Sequence, residues 1–183
     1  MRALIASLFM AGLIMTTASH GASALDPENT VYMDLKDGRV TIELEPKLAP
    51  RTVARFKELI RKHFYDGLSF HRVIPGFMAQ TGDPRGDGTG GSGVNLPAEF
   101  GEEHFVRGSL GLARSQDPNS GDSQFFICFD AAEWLDGQYT LFGKVVDGME
   151  RVDHIKAGSR QGNGKVPGEP DKIVHMTMAA DAK

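Results

Sequence analysis

The chain of 183 residues carries a formal net charge of −4, and 40% of its residues are hydrophobic. This length suits one domain better than two, and this composition suffices for a packed core and excludes a disordered chain. An acidic balance without a basic tract argues against nucleic acid and against anionic membrane surfaces as partners. Because Cys128 is the single cysteine, an internal disulfide is excluded.

The start of the chain has the pattern of a secretory signal peptide. An early positive charge precedes an almost continuously apolar stretch at 3–15, and the small residues Ala22 and Ala24 follow. This pattern predicts a signal peptide over 1–24 and a mature domain over 25–183. The alternative is a retained membrane anchor, but the apolar stretch is short for a bilayer span. We therefore expect export across the inner membrane into a periplasm, and no membrane span after cleavage.

Alternating apolar and polar residues begin the mature domain. The alternation covers 30–36 and resumes over 40–45, which predicts two antiparallel strands. Asp37-Gly38 between them is a strong hairpin signal. Apolar residues at helical spacing then predict an amphipathic helix over about 50–63, with Pro50 in its first turn.

Short apolar runs, separated by glycine-rich or polar stretches, predict six further strands. They cover residues 70–73, 77–81, 108–113, 124–129, 141–146 and 172–178. A second, short helix is predicted at 148–156, and 158–170 is predicted as a loop. Many short strands and two helices suggest a mainly β domain, a barrel closed at its ends by the helices, although composition does not separate this from a sandwich.

The segment at 70–83, which has the sequence FHRVIPGFMAQTGD, is the most informative of the chain. It places an arginine, a glutamine and large apolar side chains close together, which is unusual for a purely structural hairpin. The segment resembles the FHRxIPGFMxQxGD motif of the cyclophilin family of peptidyl-prolyl isomerases. Further segments resemble the family pattern in the same order: GTGG at 88–91, LAR at 112–114, SQFFI at 123–127, WLDG at 134–137 and FGKV at 142–145.

This resemblance covers about residues 30–178. It implies a closed, eight-stranded antiparallel β-barrel capped by two α-helices. It also implies peptidyl-prolyl cis-trans isomerase activity on unfolded or extended chains, assisting protein folding after export. The expected partners are proline-containing polypeptides, and we expect a monomer without a metal or another cofactor. The alternative function is a non-catalytic chaperone that binds proline peptides in the same groove.

The implied reaction needs an oriented hydrogen-bond donor rather than a nucleophile. An X-Pro bond rotates slowly because amide resonance imposes a barrier of about 18–20 kcal/mol. At the twisted transition state the proline nitrogen gains a lone pair that the planar ground state lacks. A donor aimed at this nitrogen therefore binds the transition state preferentially and accelerates the rotation.

The resemblance assigns the catalytic roles to Arg72, Gln80 and Phe77. Arg72 is the expected donor to the proline nitrogen, and Gln80 is expected to hydrogen-bond the substrate backbone. The remaining expected contacts, to the proline or to the adjoining peptide, are Met78, Ala113, Arg114, Gln124, Phe126, Trp134, Leu135 and Tyr139. Without the resemblance, each apolar member is more often plain core, and an isolated arginine is more often part of a surface ion pair.

Two positions depart from the pattern of many family members. Arg114 stands where many have asparagine, and Tyr139 stands where many have histidine. We expect activity to survive both changes, because the first contact is largely through the backbone and the second involves no proton transfer. Peptide preference is expected to shift at Arg114. His71 keeps its motif position, and we interpret it as a neutral, packed imidazole.

Overall fold

Eight antiparallel strands form a single sheet in the computed structural model, which describes residues 24–183. The strands are β1 (Thr30–Leu35), β2 (Gly38–Leu44), β3 (Arg72–Ile74), β4 (Met78–Thr81), β5 (Ser109–Leu112), β6 (Phe125–Cys128), β7 (Leu141–Asp147) and β8 (His175–Met178). The helices are α1 (Pro50–Arg61) and α2 (Met149–Asp153), with short 3₁₀ helices at Pro27–Asn29, Pro118–Ser120, Glu133–Leu135 and Ala179–Asp181. The predicted mainly β fold, its eight strands and its two helices are confirmed.

The predicted signal peptide lies, apart from Ala24, outside the described residues. Among residues 24–183, helices are too short or too polar to cross a membrane.

The closed barrel predicted from the resemblance is wrong, because the sheet is an open, curled half-barrel. Its strand order is β3-β4-β6-β5-β7-β2-β1-β8, which leaves β3 and β8 as edges. The chain at 158–173 runs along this seam and is joined to the opposite side by scattered contacts: the isolated bridges Ser69–Lys172 and Arg72–Lys165, and separate backbone hydrogen bonds such as Val73 N to Gly164 O at 2.7 Å. Since β3 is short and the facing stretch is rich in glycine and proline, a continuous ladder does not form there.

The central strands are buried on both faces. In β6, Phe125 and Ile127 point to one side, and Phe126 and Cys128 point to the other. The first side is the inner core, which also holds the apolar face of α1 and the buried residues of β1 and β2. The second side is the outer cluster, which consists of Met78, Phe105, Phe126, Cys128, Ala132 and Leu135.

Candidate active site

Four residues form a row across adjacent strands on the outer face. Arg72 of β3 is paired with Gln80 of β4, Gln80 is paired with Phe126 of β6, and Phe126 is paired with Gly111 of β5. Paired residues in antiparallel strands direct their side chains to the same face. The sheet register therefore places a cation, an amide and an aromatic ring side by side, as the sequence motif implied.

A chain of hydrogen bonds connects Arg72 to the glycine-rich loop, which covers residues 82–93. Nη1 of Arg72 donates to Oε1 of Gln80 at 3.0 Å, and Nε2 of Gln80 donates to Oε1 of Gln124 at 2.9 Å. Nε2 of Gln124 in turn donates to the backbone oxygens of Gly88 at 3.1 Å and Gly90 at 2.8 Å. Because every amide in the series has a defined donor and acceptor, the network fixes the position of the guanidinium.

Asn163 holds the other side of the guanidinium. Nε of Arg72 donates to the Asn163 backbone oxygen at 3.1 Å, and Nη2 donates to Asn163 Oδ1 at 3.0 Å. Asn163 adopts a left-handed backbone with φ of 52°, a conformation that asparagine tolerates better than most residues. The sequence analysis placed this residue in the predicted loop at 158–170 and assigned it no role.

The Arg72 contacts are all with neutral groups. Within residues 24–183, its guanidinium makes no salt bridge with a carboxylate. The side chain is partly buried, and this burial lowers the pKa of Arg72 from its ordinary value, although an arginine stays protonated in proteins. The site thus holds a positive charge without a counter-ion, and an incoming electron-rich atom meets an unneutralised donor.

A pocket of about 130 Å³ adjoins this charge, and we call it the apolar pocket after the aromatic and aliphatic side chains that form part of its wall. It is lined by Arg72, Phe77, Gln80, Ala113, Arg114, Phe126, Leu135 and Tyr139. The Phe126 ring meets the Tyr139 ring nearly edge-on at 5.8 Å and stacks against Phe105 at 5.9 Å. Such close-packed aromatic walls define a rigid space for one small apolar ring beside the guanidinium.

Gly111 makes room for the Phe126 ring. A Cβ atom built at Gly111 would overlap this ring. A glycine inside a strand often marks such a close approach, so the sequence carried a signal that its analysis did not use.

Two of the residues expected to contact the substrate, Met78 and Trp134, lie outside the lining of the apolar pocket. Met78 is only 1% exposed and packs in the outer cluster beneath the pocket rather than in its lining. Trp134 is 60% exposed and lies against Phe77, with 5.5 Å between the ring centroids. The roles assigned to these two residues stay predictions.

The two residues that depart from the family pattern contact each other. The Arg114 guanidinium lies over the Tyr139 ring, 4.5 Å from its centroid. Its Nε and Nη2 atoms donate to the backbone oxygen of Gln138 at 3.1 and 2.9 Å. The tyrosine and the arginine therefore form one unit at the pocket rim, held by a cation–π contact.

A larger, more polar cavity of about 400 Å³ continues from the pocket. The two share Gln80, Ala113 and Arg114. Gln124 lines this second cavity together with the glycine-rich loop. Together the two cavities form a groove with an apolar end and a polar end, which fits an extended chain carrying one apolar ring.

Among the described residues, the pocket lining has no carboxylate, histidine or cysteine. The neighbouring His71 is buried, and this burial lowers its pKa, so the imidazole is neutral near pH 7. Burial also raises the pKa of the Cys128 thiol to about 12. Both findings agree with a site that works through an oriented hydrogen bond rather than through acid–base chemistry.

A family model described as cyclophilin type peptidyl-prolyl cis-trans isomerase/CLD matches residues 30–178. A "Probable peptidyl-prolyl cis-trans isomerase" of Brucella suis biovar 1 is 55% identical, over 99% of this chain and 97% of that protein. Peptidyl-prolyl cis-trans isomerase B of Bacillus subtilis is 43% identical, over 76% of this chain and 99% of that protein.

Solved structures of cyclophilins also align with this chain. A cyclophilin from Hirschia baltica aligns with a TM-score of 0.76 at 27% identity, over 87% of this chain and 77% of that chain. A cyclophilin type isomerase from Cryptosporidium parvum, solved in the presence of the dipeptide Ala-Pro, aligns with a TM-score of 0.73 at 29% identity. That alignment covers 81% of this chain and 98% of the other.

Proposed function

The chain belongs to the family of cyclophilin type peptidyl-prolyl cis-trans isomerases, and we propose that Arg72 carries its catalysis at the apolar pocket. The protein is a peptidyl-prolyl cis-trans isomerase. The observation that supports the role of Arg72 is its unneutralised guanidinium, held by Gln80 and Asn163 at the edge of a pocket with an aromatic wall. No specific observation favours the alternative of a non-catalytic binding module.

We propose that the proline ring enters the pocket against Phe126 while the adjoining peptide crosses the polar cavity. The solved Cryptosporidium parvum relative with Ala-Pro supports a substrate of this class. In this pose Gln80 and the backbone near Ala113 offer hydrogen bonds to the peptide, in the manner of an added strand. The polar cavity beyond them has room for the residues on one side of the proline.

Arg72 then stabilises the twisted transition state. In the planar amide, the proline nitrogen shares its electrons with the carbonyl and accepts no hydrogen bond. As the bond twists, the lone pair localises on the nitrogen and the guanidinium donates to it. Because the interaction exists only in the transition state, it raises the rate rather than the affinity. Aromatic walls keep water from competing for the same donor.

Substitution of Arg72 tests this mechanism. We expect Arg72→Ala to lower kcat/KM for an Ala-Pro peptide about 100- to 1000-fold, equivalent to about 3–4 kcal/mol. Arg72→Lys keeps the charge but lacks the planar fork that meets both Gln80 and Asn163, so we expect an intermediate loss. NMR exchange spectroscopy measures the rates, and circular dichroism checks the fold. Near wild-type turnover of a folded Arg72→Ala variant would remove the residue from this role.

We further propose that the protein acts after export, as a monomer in a periplasm. The signal-peptide pattern at 1–24 supports export. Cell fractionation with N-terminal sequencing tests this proposal, and we expect a mature protein that begins at Leu25 in the periplasmic fraction. Recovery of a chain that begins at Met1 in the membrane fraction would contradict it. Size-exclusion chromatography with light scattering tests the monomer.

A further inference from the structure

Two histidines and one aspartate converge at the edge of the sheet. His63 follows the C-terminal end of α1, Asp66 lies in the turn after it, and His175 is the first residue of β8. The Nδ1 atoms of His63 and His175 lie 3.2 and 2.8 Å from Oδ2 of Asp66. The possible ligand atoms of all three residues lie within 4.8 Å of one another. From this convergence we propose that His63, Asp66 and His175 bind a divalent cation of the zinc type.

The donor set and its spacing fit this class of metal. Zinc takes imidazole nitrogen and carboxylate oxygen at about 2.0–2.2 Å, and tetrahedral geometry then separates neighbouring ligand atoms by about 3.3–3.6 Å. The His63–Asp66 separation of 3.2 Å lies close to this range. The His175–Asp66 separation of 2.8 Å is shorter by about 0.5 Å or more, so the two side chains must move apart by that amount to hold a cation. The His63 side chain is 67% exposed, so its ring has room to turn. Water completes the coordination, as in other sites with three protein ligands.

The aspartate is already oriented for such a role. Its Oδ1 atom accepts a hydrogen bond from the backbone amide of Met176 at 2.9 Å. This contact leaves Oδ2 directed at both imidazoles. Outer contacts of this kind fix a ligand before the metal arrives and increase affinity. Two imidazoles beside one carboxylate favour zinc, nickel or copper over magnesium and calcium, which prefer oxygen ligands.

The location indicates what the cation does. It connects the end of α1 to the edge strand β8, beside the seam where the sheet remains open. Near this point the chain is joined across the seam by single backbone bonds, such as Gly67 N to Ile173 O at 2.8 Å. A bound cation adds a further link between the same two segments. Since it binds only the folded arrangement, it stabilises the protein by mass action.

The site is separate from the catalytic groove. His63, Asp66 and His175 line neither the apolar pocket nor the adjoining polar cavity. The proposal therefore does not depend on the isomerase mechanism, and we expect zinc to change stability without changing kcat/KM.

Zinc titration of the chelator-treated protein tests the proposal. At a free ZnCl₂ concentration about 100-fold above the Kd, we expect the Tm to rise by about 5 °C or more. MgCl₂ at the same concentration is expected to leave the Tm unchanged. His63→Asn removes one imidazole while tolerating the left-handed backbone at this position, where φ is 55°. We expect this variant to bind zinc at least about tenfold more weakly by calorimetry.

His104 provides the matched control. Its Nδ1 atom lies 2.6 Å from Oδ2 of Asp136, and the side chain is 75% exposed. This pair has one imidazole and one carboxylate but no second histidine among the described residues. His104→Asn is therefore expected to bind zinc like the wild type, and His175→Gln is expected to weaken binding like His63→Asn. Equal zinc affinity in all three variants, or no saturable binding to the wild type, would overturn the proposal.

Discussion

Phenylalanine has a structural role on one face of β6 and lines the candidate active site on the other. Phe125 and Phe126 are neighbours with exposed fractions of 0% and 5%. The Phe125 ring packs edge-on against Phe56 at 5.1 Å and Tyr65 at 5.5 Å inside the inner core. The Phe126 ring instead forms a wall of the pocket beside Tyr139. Burial alone therefore does not separate a structural phenylalanine from a site phenylalanine, whereas the surroundings of each ring do.

Phe125→Ala should give the largest effect, and it should be on stability. Deleting a fully buried ring costs about 3–5 kcal/mol of unfolding free energy, because a cavity remains among rigid neighbours. Urea denaturation measures this loss. Since Phe125 faces away from the pocket, we expect kcat/KM per folded molecule to stay within about twofold of the wild type. A selective fall in kcat/KM would show that the two faces are not independent.

Gly111→Ala should affect the opposite face. The added methyl group overlaps the Phe126 ring, so the ring must leave its place against the pocket. Overpacking of this kind costs about 1–3 kcal/mol, and we expect kcat/KM to fall about ten- to hundredfold. The rates come from the same peptide exchange assay.

Gly101→Ala is the control for this substitution. Gly101 is exposed, and a methyl group there would meet only the flexible end of the Glu103 side chain. We expect wild-type rates from this variant. If Gly111→Ala were as active as Gly101→Ala, the position of the Phe126 ring would not limit catalysis.

Asn163→Gly tests the support of Arg72 at the open seam. Glycine tolerates the left-handed backbone and keeps the carbonyl oxygen that accepts from Nε, but it removes the Oδ1 contact with Nη2. A hydrogen bond to a charged group contributes about 1.5 kcal/mol or more, so we expect about a tenfold lower kcat. Because Asn163 acts by positioning Arg72, KM should change less than kcat. A larger change in KM would instead indicate direct contact with the peptide.

The sequence predicted elements well where a local pattern exists. Alternation located β1 and β2, and helical spacing located α1. The open seam was missed because closure depends on the ladder between β3 and the chain before β8, and no local pattern encodes such long-range pairing. The resemblance supplied Arg72 and Gln80, whose proximity the hairpin register confirms.

Residues that act on the site through space were harder to predict. Asn163 lies 91 positions from Arg72 along the chain, so neither spacing nor composition connects the two. The contact between Arg114 and Tyr139 was not predicted either, because these residues are also far apart along the chain and each was interpreted separately. Gly111 is different, since a glycine inside an apolar strand already indicates a close approach.

At the start of β3, the neighbouring residues His71 and Arg72 also have different surroundings. His71 is buried near Gly88 of the glycine-rich loop, whereas Arg72 lines the pocket. Burial lowers the pKa of His71, and its ring nitrogens have no hydrogen-bond partner within the described residues. Stability from the neutral imidazole is therefore complete above the unfolded pKa of about 6.5, and it is lost as the pH falls below that value.

The free energy of unfolding and the rate should therefore depend differently on pH. Of all the changes considered, pH is expected to have the smallest effect on the rate. The guanidinium of Arg72 does not titrate in the accessible range, and the lowered pKa keeps His71 neutral above about pH 6.5. We expect kcat/KM to vary by less than about twofold between pH 6 and 8, while the free energy of unfolding falls on acidification below about pH 6.5. Exchange spectroscopy and urea denaturation over the same buffers measure the two quantities. A bell-shaped rate profile centred near pH 6.5, with stability constant over that range, would place a proton transfer in the mechanism. Such a profile would assign to His71 the role that its burial and neutral state argue against.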